Sequence, residues 1–259
     1  MNIEKITSNQ NNHVKKWKKM QSKKGRKENQ LYMLEGWHLV NEAIMANEAV
    51  TEIMVTDTND LEQLNWDQLS NQVKVYLITS EIARHISETQ TPQGIFATIK
   101  LPEFNDELPF NLHGSWVLLD GLQDPGNVGT IVRTADAAGV SGVVFGTGTV
   151  DLYNPKVVRS MQGSQFHLNI YEGDLKRWLQ AFNEQQIPTF GTELNPQAVA
   201  YNQVTSPGEF ALVLGNEGNG ASQEVLRLTS QNLYIPMKGR AESLNVAIAG
   251  GILMFYLQN

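Results

Sequence analysis

Cysteine is absent from this chain of 259 residues, which excludes disulfides, thiolate metal ligands and cysteine nucleophiles. Histidine is scarce: His13, His38, His85, His113 and His167 stand far apart, none at ligand-like spacing from another, so no metal centre is expected. Long apolar runs are missing too. The most apolar stretch, Leu244–Leu257, covers 14 residues, short of the roughly 20 that a membrane-spanning helix needs. The first ten residues, MNIEKITSNQ, lack the apolar segment of a signal peptide, so a soluble, cytoplasmic protein is expected. Nucleotide fingerprints are incomplete: no lysine follows the glycines of Gly215–Gly220, and GTGTVD from Gly146 lacks the third glycine of a dinucleotide loop.

Charge is present but unevenly placed. Residues 1–30 hold nine Lys or Arg against two Glu, while the remainder holds 11 basic against 25 acidic residues. Such asymmetry points to an anionic partner held by one region. Within HVKKWKKMQSKKGRK, helical spacing sets Val14, Trp17 and Gln21 on one face, with lysines around it. Lys15, Lys16, Lys18, Lys19, Lys23, Lys24, Arg26 and Lys27 form a candidate RNA-binding set, with Trp17 as a stacking platform. The competing reading is a solvated basic face with Trp17 in the core, and Trp17 itself reads more naturally as core.

From Leu31 onward, strand and helix patterns alternate. LYMLEG, VTEIMV, VKVYLI and GIFATIK read as strands, and WHLVNEAIMA, Leu61–Leu69 and SEIARHI as helices, giving a small α/β sandwich. Leu101–Gly114, with Pro102, Pro109, Asn105 and Asn111, reads as a linker, so domains are expected at residues 1–105 and 106–259. Alternation then restarts. Strands are expected at Trp116–Leu119, Gly142–Phe145, Phe166–Ile170, Pro188–Thr192, Phe210–Leu214 and Leu233–Pro236. Helices are expected at Val128–Ala138, with Asn127 as N-cap, at Pro155–Gln162 and Leu175–Gln185, and at the chain's end. The glycine-rich turns after Leu214 and Pro236 lie where open α/β sheets bind ligands.

Three segments carry a resemblance: Asn127-Val-Gly-Thr-Ile-Val-Arg133, Leu214-Gly-Asn-Glu-Gly-Asn-Gly220, and Ile235-Pro-Met with Glu242-Ser-Leu-Asn-Val-Ala247. In order, spacing and position they resemble the signature motifs of the SpoU/TrmH RNA 2′-O-ribose methyltransferases, over residues 115–257. The first hundred residues are similar to that family's substrate-binding domain, on the weaker pattern of Lys23, Glu35 and Gly36. The resemblance implies a trefoil-knotted C-terminal domain with a mostly parallel sheet. It further implies S-adenosylmethionine bound in a bent form, and a homodimer that completes the site across its interface.

By that resemblance Arg133, Asn127, Glu217, Ser243 and Asn245 make the catalytic set, and Thr192, Leu194, Gly215, Asn216, Gly220, Ile235, Met237 and Leu244 line the cofactor pocket. Read without the motifs, Ile235 and Leu244 are core residues, Arg133 is a surface arginine, and Asn127, Ser243 and Asn245 are helix caps. A guanidinium stays protonated, so Arg133 serves better as a phosphate clamp than as a base. The expected activity is ribose methylation of structured RNA, ribosomal RNA before transfer RNA. A non-catalytic RNA-binding assembly factor and a small-molecule α/β enzyme stand as alternatives.

Overall fold

The computed structural model describes residues 3–70, 72–102 and 107–259. The chain divides into two compact units, Met1–Phe104 with Tyr153–Phe166, and Asn105–Leu152 with His167–Asn259. The linker expected at Leu101–Gly114 falls partly outside the described residues, and so does the expected boundary at 105/106.

In the first unit the chain runs through β1 (Ile3–Ile6), α1 (Asn12–Lys19), α2 (Lys23–Asn29), β2 (Leu31–Glu35), α3 (Trp37–Met45), β3 (Val50–Val55), β4 (Lys74–Ile78), α4 (Ser80–Ile86) and β5 (Ile95–Lys100). The sheet order is β1-β4-β3-β5-β2. β1, β4 and β3 pair in parallel, and β5 pairs antiparallel with β3 and β2. The helix expected at Leu61–Leu69 is two short 3-10 turns, Asn59–Gln63 and Trp66–Gln68. They are split at Asn65, whose backbone is not helical.

The lysine-rich segment is two helices, not one. α1 is capped by Asn11 and α2 by Ser22, whose side chains accept from His13 N and Gly25 N. Gly25 lets them meet, because a Cβ there would lie 2.0 Å from Lys19 O. Val14 and Trp17 are fully buried, and the Trp17 indole donates to Glu52 Oε2 at 2.8 Å. Trp17 is thus a core residue and offers no face to a base. Glu52, itself buried, also has Lys16 Nζ and His13 Nδ1 at 3.5 and 3.6 Å. Beside it, burial first and then Glu52 and Glu4 push the Tyr76 hydroxyl up to about 12.

Helix α6 (Pro155–Met161) also belongs to this unit. It buries Val157, Val158 and Met161, lies against β2, and Tyr153 just before it meets the Tyr32 ring at 4.8 Å.

The second unit contains β6 (Trp116–Asp120), α5 (Pro125–Ala137), β7 (Gly142–Gly146), β8 (Asn169–Gly173), α7 (Leu175–Glu184), β9 (Thr189–Thr192), β10 (Val199–Ala200), β11 (Ala211–Gly215), α8 (Gln223–Leu226), β12 (Gln231–Tyr234) and α9 (Val246–Leu257). Its seven strands run in the order β10-β12-β9-β11-β6-β7-β8, and every pairing is parallel. Central strands such as VLL of β6 and ALVLG of β11 are apolar throughout because both sheet faces are covered. Trp116, Trp178, Phe182 and Leu226 pack in one cluster with Leu118 and Val213, while α9 packs against α5 and β11. From β6 the chain steps outward to β7 and β8, whereas β9 to β12 lie on the other side. Strand order therefore reverses at β11/β6, where open parallel sheets form their ligand crevice. No described helix is long and apolar enough to cross a membrane.

Candidate active site

The site is built from loops at the carboxyl ends of β6, β9, β11 and β12. The β11 loop closes tightly on itself. Asn216 N donates to Gly220 O at 3.0 Å, Gly220 N returns a bond to Asn216 O at 2.9 Å, and the Asn216 carboxamide accepts from Gly218 N and Asn219 N. Its Nδ2 donates to Gly121 O at 2.8 Å, tying this loop to the β6 loop. Gly215 has no alternative residue: a Cβ there would stand 1.9 Å from Ala221 N. Gly220 adopts φ +70° with open space where a side chain would project.

Glu217 reaches from this loop to the β6 loop. It accepts from Gln123 N, Asp124 N and Asn127 Nδ2, each at 3.1 Å. Partial burial pushes its carboxyl up, but the bond from Asn127 and those from the amides of Gln123, Glu217 and Asp124 outweigh it and hold the carboxyl below its ordinary value. Asn127 Oδ1 in turn accepts from Asn245 Nδ2 at 2.9 Å, and Asn245 Oδ1 caps α9 by accepting from Ala247 N and Ile248 N. A carboxylate only accepts, so the direction of this chain is fixed from end to end: Glu217 demands the NH2 of Asn127, which turns its oxygen to Asn245. Three segments distant in sequence are thereby locked into one geometry.

Of the expected catalytic residues, then, the structure joins Asn127, Glu217 and Asn245. Asn127 is not the helix cap; Asp124 is, accepting from Asn127 N at 2.9 Å, because Pro125 takes the first helical position. Ser243 is exposed and hydrogen-bonded to none of the three. Arg133 projects from the exposed side of α5, with no ion pair to a described residue of its own chain.

Among the expected cofactor residues, Leu194 is 78% exposed and Met237 and Leu244 are each 37% exposed, while Ile235 is half-buried. Large apolar side chains presented around backbone-lined loops suit a ligand with an aromatic base or other apolar face. Thr192 is turned inward, its hydroxyl donating to Val213 O at 3.0 Å, so its side chain braces β9 against β11. In the basic set Lys15, Lys19, Lys23, Lys24 and Lys27 are exposed and Lys16 and Lys18 half-buried. Arg26 is a correction: it is buried, and its guanidinium donates to Met20 O and Gln21 O, which removes it from the exposed basic set.

Sequence reasoning missed Asp120, whose Oδ2 accepts from Ser222 N at 2.7 Å, and Glu193, which receives the Gln223 amide at 2.7 Å. The available signal was a carboxylate at the carboxyl end of a buried strand.

Comparison with known proteins fits this geometry. The profile of the SpoU rRNA Methylase family matches residues 115–255, and that of the MRM3-like substrate binding domain matches residues 11–97. The chain belongs to the SpoU rRNA methylase family. Its SpoU domain carries all of the hydrogen-bonded loops above. Over 256 residues the chain is 38% identical to the 23S rRNA (guanosine(2553)-2′-O)-methyltransferase RlmP of Bacillus subtilis, covering 99% of this chain and 100% of that one. The AdoMet-bound rRNA methyltransferase of Sinorhizobium meliloti superposes with a TM-score of 0.86 at 28% identity, over 99% of this chain and 97% of that one. A solved RNA 2′-O ribose methyltransferase superposes at 0.81 with 26% identity, over 98% and 97%.

Proposed function

We propose that this SpoU-family chain methylates a ribose 2′-hydroxyl of ribosomal RNA, using S-adenosylmethionine held at the carboxyl ends of β9, β11 and β12. The observation that carries the reading is the hydrogen-bonded chain Glu217–Asn127–Asn245, which unites the motif segments at one end of one sheet. Full-length likeness to a ribosomal RNA ribose methyltransferase supports the substrate class.

When bound, S-adenosylmethionine supplies an activated methyl on a sulfonium sulfur. The protein's task is alignment, and fixed proximity contributes several kcal/mol to such a transfer. Backbone groups of Gly215, Asn216, Gly220, Ile235 and Leu244 would hold the nucleoside, with Leu194 and Met237 covering its apolar parts. Glu217 and Asn127 fix the β6 loop against the β11 loop, and Asn245 fixes the start of α9. As the new C–O bond would form, the methyl's bond to sulfur would break with its electron pair staying on sulfur, while the 2′-hydroxyl proton leaves to water. Arg133 clamps the adjoining phosphodiester and stabilises the developing oxyanion, a role that suits a permanently charged fork. Exposed Lys15, Lys19, Lys23 and Lys27 of α1 and α2 hold other phosphates of the RNA.

A homodimer completes this reading. Ile248 and Phe255 are 55% and 50% exposed and lie seven residues apart on α9, and with Leu244 they form an apolar stripe suited to a second copy. Arg133, which pairs with no carboxylate among the described residues, then serves the partner's pocket. The resemblance also implies a trefoil knot in this domain.

Calorimetric titration with S-adenosylmethionine, followed by transfer of labelled methyl to ribosomal RNA from a strain lacking this protein, tests the proposal. Saturable binding and one ribose-methylated nucleotide are expected. Binding without transfer to any ribosomal RNA would overturn the assignment of substrate, and no binding would overturn the enzyme.

A further inference from the structure

The loop from Ile235 to Asn245 carries two cations, Lys238 and Arg240, on either side of Gly239. Both are exposed, and neither is within ion-pair distance of a described carboxylate. Their surroundings make this notable. Carboxylates on the loops and helix starts at this end of the sheet are committed to donors of the chain itself: Glu217 to the β6 loop, Asp120 to Ser222 N, Asp124 to Asn127 N, Glu193 to Gln223, and Glu224 to Lys176. Glu242 shares the loop but pairs with neither cation. The segment is pinned at both ends, by Glu193 N donating to Leu233 O at 3.2 Å beside β12 and by the Asn245 cap of α9. Gly239, with nothing within 4 Å of where its Cβ would stand, leaves the backbone between the cations uncrowded. A loop with two solvent-facing cations on an acidic domain suits an anion that arrives from outside.

We propose that Lys238 and Arg240 form a phosphodiester clamp that seats the RNA strand next to the target nucleotide. The inference rests on the methyltransferase reading and adds residues that the signature motifs do not name. The chain bends at Gly239 and Arg240, so the backbones of the two cations stand less than ~7 Å apart, close enough for both to serve neighbouring phosphates of one strand. The same charges also suit the carboxylate of the methyl donor's amino-acid arm, so the test separates the two anions.

Lys238→Gln and Arg240→Gln, singly and together, are compared with the natural chain by filter binding to transcribed large-subunit ribosomal RNA over a range of salt, and by calorimetric titration with S-adenosylmethionine. The double variant is expected to bind RNA about tenfold more weakly, with a plot of log affinity against log salt shallower by about 1.4, as loss of two single-strand phosphate contacts requires. Its affinity for S-adenosylmethionine stays unchanged, and Arg240→Lys retains most of the RNA binding. Weakened donor binding with unaltered RNA affinity would assign the cations to the donor's carboxylate and overturn the clamp, and no change in either would show them to be solvated surface charges. Because RNA retention is read without catalysis, failure of the natural chain to methylate would strike the function proposed above while the clamp is still decided by the binding arm.

Discussion

Replacing Glu217 by Gln tests the directional hydrogen-bond chain with the smallest change of shape. The carboxylate accepts from Gln123 N, Asp124 N and Asn127 Nδ2. Hydrogen bonds to a charged group are worth about 1.5–3 kcal/mol when buried. Glu217 faces solvent, which reduces each to roughly 0.5–1 kcal/mol. Glutamine keeps one acceptor oxygen for Asp124 and Asn127 but turns its NH2 toward Gln123 N, so that donors oppose each other. A stability loss of about 1–1.5 kcal/mol near neutral pH is expected, with methyl transfer falling about tenfold if the loop geometry slackens by that amount. The charge also sets a pH signature. The folded carboxyl lies below its ordinary value of 4.5, so its stabilisation is complete above that value and is lost as pH falls through the lowered one. Urea unfolding of both proteins should therefore show a gap near neutrality that closes in acid. A gap independent of pH, or a variant as active as the natural chain, would refute the argument.

Gly215→Ala brings a methyl to within 1.9 Å of Ala221 N; backbone cannot yield cheaply, so thermal unfolding should show a loss of about 3 kcal/mol and donor binding should fail with it. Asn245→Asp keeps the acceptor that caps α9 but sets a carboxylate against Asn127 Oδ1; stability should stay within ~0.5 kcal/mol of the natural chain while initial rates of transfer drop. Unchanged rates would show Asn245 to be a cap alone, since Asp caps as well as Asn. Trp17→Phe removes the indole donor to buried Glu52 and leaves a small cavity; denaturant titration should report a cost of about 2–3 kcal/mol.

Much of the fold was legible because buried parallel strands are written as unbroken apolar runs, as in β6, β7 and β11. Elements without that contrast were missed or misplaced. β1 buries only Ile6 of its four residues, so it shows no alternation. β8 is a half-exposed edge strand that starts at Asn169, three residues after the expected Phe166, because Ser164–Phe166 turns as 3-10 helix. β12 starts with Gln231 and Asn232, polar residues that pair with β9. The site was legible as motifs, not as geometry. Glycines and asparagines marked the loops, but which amide faced which carboxylate depends on backbone donors such as Gln123 N, whose identity leaves no trace in side-chain chemistry. Arg26 shows the opposite error: a charge counted as surface is spent on two carbonyls.

The placement of α6 bears on how the protein is dissected. It is encoded within the span matched by the SpoU profile yet buries Val157, Val158 and Met161 in the first unit. A single break near residue 105 would thus leave the catalytic fragment carrying an orphaned greasy helix, and its complement missing a wall. Expressing either half alone calls for grafting or excising Tyr153–Phe166, and a shuffled gene fusion that ignored this segment would be selected against for solubility before its activity mattered.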